Sequence, residues 1–140
     1  KLKLKQGVID TPISVKQSSV KRTVFRGKLT KEAVTKYRVL DEFPDFSWVE
    51  VTPLSGRTHQ IRVHFASLGH PVLGDKLYGP RKIKPGMPIV KRQLLHAYSL
   101  EFALAPGKRI KLVASIPEDI KNILTGLPER PKSGLFDGDV

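Results

Sequence analysis

The sequence predicts an α+β fold with a mainly antiparallel sheet and packed helices. Several segments alternate apolar and polar residues and are joined by short turns, which is typical of antiparallel hairpins. Between them lies a segment whose apolar residues recur with the period of a helix. At 140 residues the chain has the size of one ordinary domain. We assign residues 1–125 to that domain and residues 126–140 to a flexible tail.

The first half of the chain contains two predicted strands. Residues 1–30 are basic and polar, and we expect only loop and short strand there. The segments AVTKYRVL (33–40) and SWVEVTPL (47–54) each alternate with a period of two residues. Because DEFPDF between them is typical of a turn, the two strands are predicted to pair as an antiparallel hairpin.

From Thr58 onwards the apolar period becomes that of a helix of about three turns. One apolar stripe at i, i+4 and i+7 is formed by Ile61, Phe65 and Leu68. Thr58 or Ser55 can cap the start of this helix. Gly69 can end it, because glycine adopts the left-handed conformation at little cost.

Turns separate the elements predicted for the second half. HPVLGDKLYGP (70–80) reads as a compact loop, and residues 80–92 as a mobile basic loop. QLLHAYSLEFAL (93–104) and RIKLVAS (109–115) are predicted strands joined across APGK. PEDIKNIL (117–124) is a predicted short helix, with proline at its first position and apolar residues on one face.

The charge balance favours a polyanionic partner. Lys and Arg number 25 against 13 Asp and Glu, a net charge of +12, and the excess is greatest in the first 36 residues. Nucleic acid is the expected partner, although the charge could serve solubility alone. The chain has no cysteine, which excludes disulfides and zinc-thiolate sites and fits a reducing compartment, so we expect a cytoplasmic protein. No apolar run reaches the roughly 18 residues that cross a bilayer, so no membrane is expected.

Two familiar kinds of catalytic site are disfavoured by spacing. His59 and His64 are five residues apart, about 140° around a helix, so they do not share a face as zinc-binding histidines at i, i+4 do. Together with His70 they therefore do not predict a metal site. A hydrolytic triad is equally disfavoured, because PLSGRTH lacks the glycine that precedes the serine of a nucleophile elbow.

An anion site is better supported. SGRT stands where a strand gives way to a helix N-terminus, which attracts anions, but it lacks the Lys and glycine spacing of a nucleotide loop. Arg57 is therefore either a phosphate contact or part of a simple surface cap. Arg62 follows the apolar Ile61, where a partly desolvated guanidinium is expected to pair with a carboxylate. It could be part of a structural ion pair or an active-site arginine. Tyr78, the one tyrosine in a predicted loop, could stack on a base.

The chain resembles one family over most of its length. GRTHQIRVH (56–64) followed by LGHPVLGDKLYG (68–79) is similar to the signature of the RluA-type pseudouridine synthases. The similarity spreads through VIDTPI, EAVTKYRVL, VEVTPLSG and LLHAYSLEF, over roughly residues 7–120. It implies the C-terminal portion of the pseudouridine synthase catalytic fold. It also implies an isomerase that converts uridine to pseudouridine in RNA, by analogy ribosomal RNA, with no cofactor and no metal.

The resemblance carries over to particular residues and also fails at one motif. The family's catalytic aspartate belongs to a His-Arg-Leu-Asp motif upstream of this segment, and the chain has no such motif. The segment alone is therefore predicted inactive, and Asp75 is given a structural or loop-ordering role. Arg62 corresponds to the arginine that pairs with the catalytic aspartate. The expected contacts to RNA or substrate are Arg57, Thr58, His59, Gln60, Tyr78 and Leu95.

Two other functions remain open from the sequence. The chain could be a non-catalytic RNA-binding module that kept the scaffold and lost the nucleophile. It could also be a basic structural protein of the ribosome, in which the polar residues of 57–64 are only surface. An upstream His-Arg-Leu-Asp motif in the native polypeptide would separate an enzyme from a binding module.

Overall fold

A computed structural model describes residues 2–15, 21–25 and 28–126 of the chain. They belong to two compact units, residues 1–94 and residues 95–140. Among the described residues, the first unit contains β1 (Gln6–Asp10), β2 (Ile13–Val15), β3 (Arg22–Thr23), β4 (Lys28–Lys31), β5 (Val34–Glu42), β6 (Ser47–Pro53) and α1 (Gln60–Ser67). The second contains β7 (Ser99–Ala105), β8 (Lys108–Val113) and α2 (Glu118–Thr125). The α+β class and the antiparallel pairing are confirmed.

The first unit is built on a sheet of order β1-β5-β6, in which both pairings are antiparallel. The predicted hairpin is confirmed, with a register shift in β5 between Val39 and Asp41. A smaller sheet has the order β3-β2-β4. Residues 1–30 thus supply short strands, as expected, while residues 16–20 and 26–27 of that stretch lie outside the described part.

Helix α1 packs on the main sheet through aromatic and aliphatic contacts. Phe65 is buried with Leu2 and Ile9, and its ring meets that of Tyr37 edge-on at 5.6 Å. Tyr37 lies across β1, where a Cβ on Gly7 would come within 2.9 Å of the tyrosine ring. Glycine at this position therefore lets the ring lie across the strand. A second buried cluster, with Tyr78 against it, consists of Ile13, Ala33 and Val63.

The boundaries of α1 differ from the prediction at its start. The helix has eight residues and begins at Gln60, and its N-cap is His59 with a left-handed backbone (φ 57°) and no side-chain cap. Neither Thr58 nor Ser55 caps it, because the Ser55 hydroxyl donates to the Gln60 side chain instead. Gly69 ends the helix with φ 78°, as predicted.

The predicted apolar stripe of α1 is only partly correct. Leu68 is 44% exposed, whereas Gln60 and His64 are buried. These polar side chains can be buried because both form hydrogen bonds with Thr35 on β5. Gln60 Nε2 donates to Thr35 Oγ1 at 3.0 Å, and the Thr35 hydroxyl lies 2.8 Å from His64 Nδ1. His64 Nε2 donates to the Thr11 carbonyl at 2.9 Å, so the chain of bonds holds a neutral imidazole.

The second unit confirms the predicted hairpin but not the start of its first strand. β7 and β8 pair antiparallel across APGK, with Gly107 at φ 75°. Residues 93–98 are not in a strand, and the N–H of Leu94, the last residue of the first unit, donates to the Leu73 carbonyl of the same unit. Helix α2 starts one residue later than predicted, since Pro117 is its extended N-cap (ψ 149°).

For the remaining predictions on organisation, one is confirmed and the others are not tested. Ile120 and Leu124 of α2 are buried, on the face predicted for them. The basic loop 80–92 consists of turns and bends, and its mobility stays a prediction. The tail from residue 127 onwards lies outside the described residues, and a single domain over residues 1–125 also stays a prediction.

His64 should make the stability of the first unit depend on pH. Burial lowers the pKa of His64 below its ordinary value of 6.5, so the unfolded chain binds its proton more readily than the folded chain. The free energy of unfolding should therefore fall as the pH drops below about 6.5, by at most about 1.4 kcal/mol per pH unit for one such site. Urea unfolding followed by the fluorescence of Trp48 measures this slope.

The matched variant is His64→Gln, which cannot take up a proton and should flatten the slope. His59 and His70 have pKa values shifted in the same direction and should leave part of it in place. His96→Gln, in the second unit, is the control. An unchanged slope in His64→Gln would show that protonation of His64 does not contribute to the pH dependence of the free energy of unfolding.

Candidate functional site

The centre of the candidate site is an ion pair between helix α1 and the GDKLYG loop. Arg62 Nε donates to Asp75 Oδ2 at 2.7 Å, and Arg62 Nη2 donates to Asp75 Oδ1 at 2.8 Å. The Asp75 side chain is fully buried and that of Arg62 is 14% exposed. This is the two-point geometry that suits a guanidinium and a carboxylate. The carboxylate that Arg62 was expected to need is therefore Asp75, 13 residues further along the chain.

The loop is folded around the same carboxylate. Asp75 Oδ1 also accepts from the backbone N–H groups of Leu77 at 2.9 Å and Tyr78 at 3.0 Å. Gly79 N–H donates to the Asp75 carbonyl at 2.9 Å, and a Cβ on Gly79 would come within 2.2 Å of that oxygen. The second glycine of the motif is thus required by a close approach, and Asp75 orders its own loop.

The electrostatics keep both partners charged. Burial by itself would raise the pKa of Asp75, but the hydrogen bonds from Arg62 and from the N–H groups of Tyr78 and Leu77 outweigh it and lower that pKa. The hydrogen bond to Asp75 raises the pKa of Arg62 against the opposing effect of burial. The pair therefore stays ionised and oriented near neutral pH.

Tyr78 connects this pair to His59 and to strand β3. The Arg62 guanidinium lies over the Tyr78 ring, with Cζ 5.2 Å from the ring centroid. The Tyr78 hydroxyl accepts from Arg22 N–H at 2.7 Å and is 3.0 Å from His59 Nδ1. Burial lowers the pKa of His59, and the charges of Arg62 and Arg22 lower it further against the weaker effect of Asp75. His59 is therefore a neutral imidazole beside two cations.

The other residues predicted to contact RNA at the start of α1 differ in their exposure and in how many of their hydrogen-bonding atoms are already used. Arg57 and Thr58 are exposed, and Arg57 Nε donates to the Glu32 carbonyl at 3.0 Å. Gln60 is buried, and Oε1 accepts from Ser55 and from Arg57 N–H while Nε2 donates to Val34 O and Thr35. An RNA contact by Gln60 would have to replace one of these four bonds.

The structure brings three of the predicted residues into direct contact, and a fourth supports a fifth. His59, Arg62 and Tyr78 form one cluster, and Gln60 holds the turn that carries Arg57. Leu95 belongs to the second unit, where its side chain is partly buried. Its expected contact with RNA or substrate stays a prediction.

Sequence reasoning missed two participants. Nothing in the sequence marks the main-chain N–H of Arg22 as a partner of Tyr78, because the two are 56 residues apart. The chain of bonds through Thr35 was also missed, although the presence of two polar residues one turn apart on a packed helix was a usable signal. In the described ranges, no three His, Asp or Glu side chains come together as a cation site, and neither helix is long and apolar enough to cross a membrane.

Comparison with known proteins gives a consistent result. Residues 1–67 match the family described as RNA pseudouridylate synthase. Ribosomal large subunit pseudouridine synthase D of Xylella fastidiosa is 44% identical over 117 residues, covering 76% of this chain and 34% of that protein. The protein of the same name from Vibrio cholerae is 38% identical over 137 residues, covering 90% of this chain and 42% of its own length.

Solved structures agree on the fold. Human RNA pseudouridylate synthase domain containing 1 superposes with a TM-score of 0.67 at 23% identity, over 94% of this chain and 62% of the human one. Human RNA pseudouridylate synthase domain containing 4 gives 0.64 at 28% identity, over 86% and 56%. The chain thus spans about a third to two fifths of the curated relatives described above.

Loss of the Arg62 side chain should destabilise the first unit. Arg62→Ala leaves the buried Asp75 carboxylate without its cation, and breaking such a pair costs about 3 kcal/mol or more. Urea unfolding read from Trp48 fluorescence gives the free energy of unfolding.

A double-mutant cycle separates this effect from lost packing. Asp75→Asn keeps the acceptor for the N–H groups of Leu77 and Tyr78 but removes the charge. The double variant should therefore be less destabilised than the sum of the single variants. Simple additivity would contradict the ion pair. Arg38→Ala, which breaks the exposed pair with Glu50, is the charge-matched control and should cost less than about 1 kcal/mol.

Proposed function

Because the chain belongs to the RluA-type pseudouridine synthase family, we propose that it is the C-terminal part of a catalytic domain that isomerises uridine to pseudouridine in ribosomal RNA. In the complete enzyme the uracil would be detached from its ribose, turned and rejoined through carbon, with no metal or cofactor. The names of the relatives support an RNA substrate. The observation that carries the proposal for this chain is the buried, two-point fixation of Arg62.

Arg62 is suited to hold a second carboxylate. Its Nε and Nη2 are used by Asp75, and no described residue accepts a hydrogen bond from Nη1. We propose that Nη1 pairs with the family's catalytic aspartate, which lies in the His-Arg-Leu-Asp motif upstream of this segment. A guanidinium braced by one buried carboxylate would not need to reorganise when the reaction begins, and preorganised charge of this kind stabilises a transition state.

The RNA would approach along the basic surface at the start of α1. Arg57 and Thr58 are exposed there and could contact phosphate or ribose, while His59 would face the substrate. The target uridine must leave its stack before it can react, at a cost of a few kcal/mol that backbone contacts would offset. The net charge of +12 supports binding that weakens steeply with salt. We place the protein in the cytoplasm with its RNA.

The catalytic proposal is tested by supplying the missing part of the domain. The 140-residue chain should bind ribosomal RNA transcripts but form no pseudouridine by itself. A chimera that joins it to the part of the Vibrio cholerae relative preceding the matched region should form pseudouridine, measured by mass spectrometry of the digested RNA.

Arg62 is then varied within the chimera. Arg62→Lys keeps the charge but cannot reach two carboxylates at once, so turnover should fall at least about a hundredfold while the protein stays folded. Arg38→Ala has no contact with the site and should keep its turnover. Normal yield in Arg62→Lys would remove Arg62 from the mechanism.

The rival function is separated in the same experiment. A chimera that binds RNA and is folded, yet forms no pseudouridine, would favour a non-catalytic RNA-binding module. If Arg57→Ala does not weaken RNA binding of the 140-residue chain, the start of α1 is not the RNA surface. The binding would then be attributed to the general positive charge of the chain.

A further inference from the structure

The structure assigns Tyr78 a different role from the base stacking predicted from sequence. We propose that Tyr78 is a positioning residue: its ring supports the Arg62 guanidinium, and its hydroxyl orients the His59 imidazole so that His59 Nε2–H is presented to the RNA as a hydrogen-bond donor. The RNA-facing part of this inference depends on the proposed function. The orientation of His59 by Tyr78 does not depend on it.

The direction of the hydrogen bonds follows from the donors present. The main-chain N–H of Arg22 can only donate, so the Tyr78 oxygen accepts from it at 2.7 Å. The hydroxyl proton is then free to point at His59 Nδ1, which is 3.0 Å away. A neutral imidazole that accepts at Nδ1 carries its proton on Nε2. No described residue bonds to His59 Nε2, so this donor is left for a ligand.

The charges around His59 agree with a neutral ring. Arg62 and Arg22 face it and disfavour a further positive charge, and burial acts in the same sense. Asp75 opposes them but has its carboxylate engaged by Arg62 and two backbone N–H groups. His59 is thus prepared as a neutral donor and not as an imidazolium.

The backbone of His59 is also placed for this contact. His59 has φ 57° and ψ 18°, a left-handed conformation that residues other than glycine adopt infrequently. This conformation at the N-cap accompanies the edge-on contact of its ring with Tyr78, at a centroid distance of 5.7 Å. Such backbone conformations persist where surrounding contacts impose them, often at functional sites.

The partly buried Tyr78 ring is already engaged in two contacts. It packs against the buried cluster of Ile13, Ala33 and Val63 and also lies under the Arg62 guanidinium. The cation over the ring and the ion pair to Asp75 together hold Arg62 from two directions. Tyr78 therefore acts through Arg62 and His59.

The first test needs no catalysis. Nitrogen-15 spectra of the 140-residue chain labelled at histidine, with His59 assigned from the His59→Gln variant, report which ring nitrogen carries the proton. We expect the Nε2–H form in the unaltered chain. In Tyr78→Phe the preference should be lost and the titration midpoint of His59 should rise, because a bond that favours the neutral ring is removed. Tyr98→Phe in the second unit is the control.

A proton on Nδ1 in the unaltered chain, or a tautomer and midpoint unchanged in Tyr78→Phe, would overturn the proposal whether or not the protein is a synthase.

The second test uses the chimera. Tyr78→Phe and His59→Leu should each lower kcat about tenfold, while the KM for RNA and its salt dependence change little. His59→Gln, which keeps a donor, should recover part of the loss. A stacking role predicts the opposite pattern, in which Tyr78→Phe is fully active and Tyr78→Leu loses RNA affinity. That pattern would refute the positioning role, and an inactive parent chimera would refute the proposed function while leaving the spectroscopic result to decide on Tyr78.

Discussion

The structure around the candidate site depends on one buried ion pair. Asp75 has no exposed side-chain surface, so its charge must be met entirely by protein groups, and Arg62 with the N–H groups of Leu77 and Tyr78 meets it. The same contacts determine where α1 meets the GDKLYG loop. Because an unpaired buried carboxylate is costly, neither element can move away independently. The helix and the loop that follows it in sequence thereby behave as one rigid support.

A second set of buried polar bonds holds α1 to the sheet. Gln60 and His64 lie one turn apart and both reach Thr35 on the central strand. Each group in this chain has its partners, so the burial of polar atoms costs little, and the bonds permit only one rotation of the helix about its axis. Arg62 lies between these two residues on the helix, so the same bonds fix the direction in which its side chain leaves α1. The position of the guanidinium is thus defined from the sheet as well as from the loop.

Sequence patterns predicted the fold better than the site. The alternation in residues 33–40 and 47–54 predicted β5 and β6 because one side of an antiparallel strand is exposed and the other is packed. The same reasoning failed on α1, where Leu68 is exposed and His64 is buried. Hydrophobicity alone cannot show that a polar side chain will find a complete set of partners. The sequence predicted that Arg62 has a carboxylate partner. It did not predict that this partner is Asp75, because that depends on the path of the loop.

The resemblance and the geometry answer different questions about the same residues. The signature GRTHQIRVH identifies a family. The structure shows which polar side chains of this signature have hydrogen-bonding atoms that no described residue uses. Gln60 has all its hydrogen-bonding positions used inside the protein, whereas His59 Nε2 and Arg62 Nη1 have no acceptor among the described residues. Both free donors belong to side chains whose other ends are fixed, one by Tyr78 and one by Asp75. A group held at one end and open at the other can bind a ligand with little further loss of side-chain entropy. This asymmetry distinguishes the residues that support the site from those that are able to act in it.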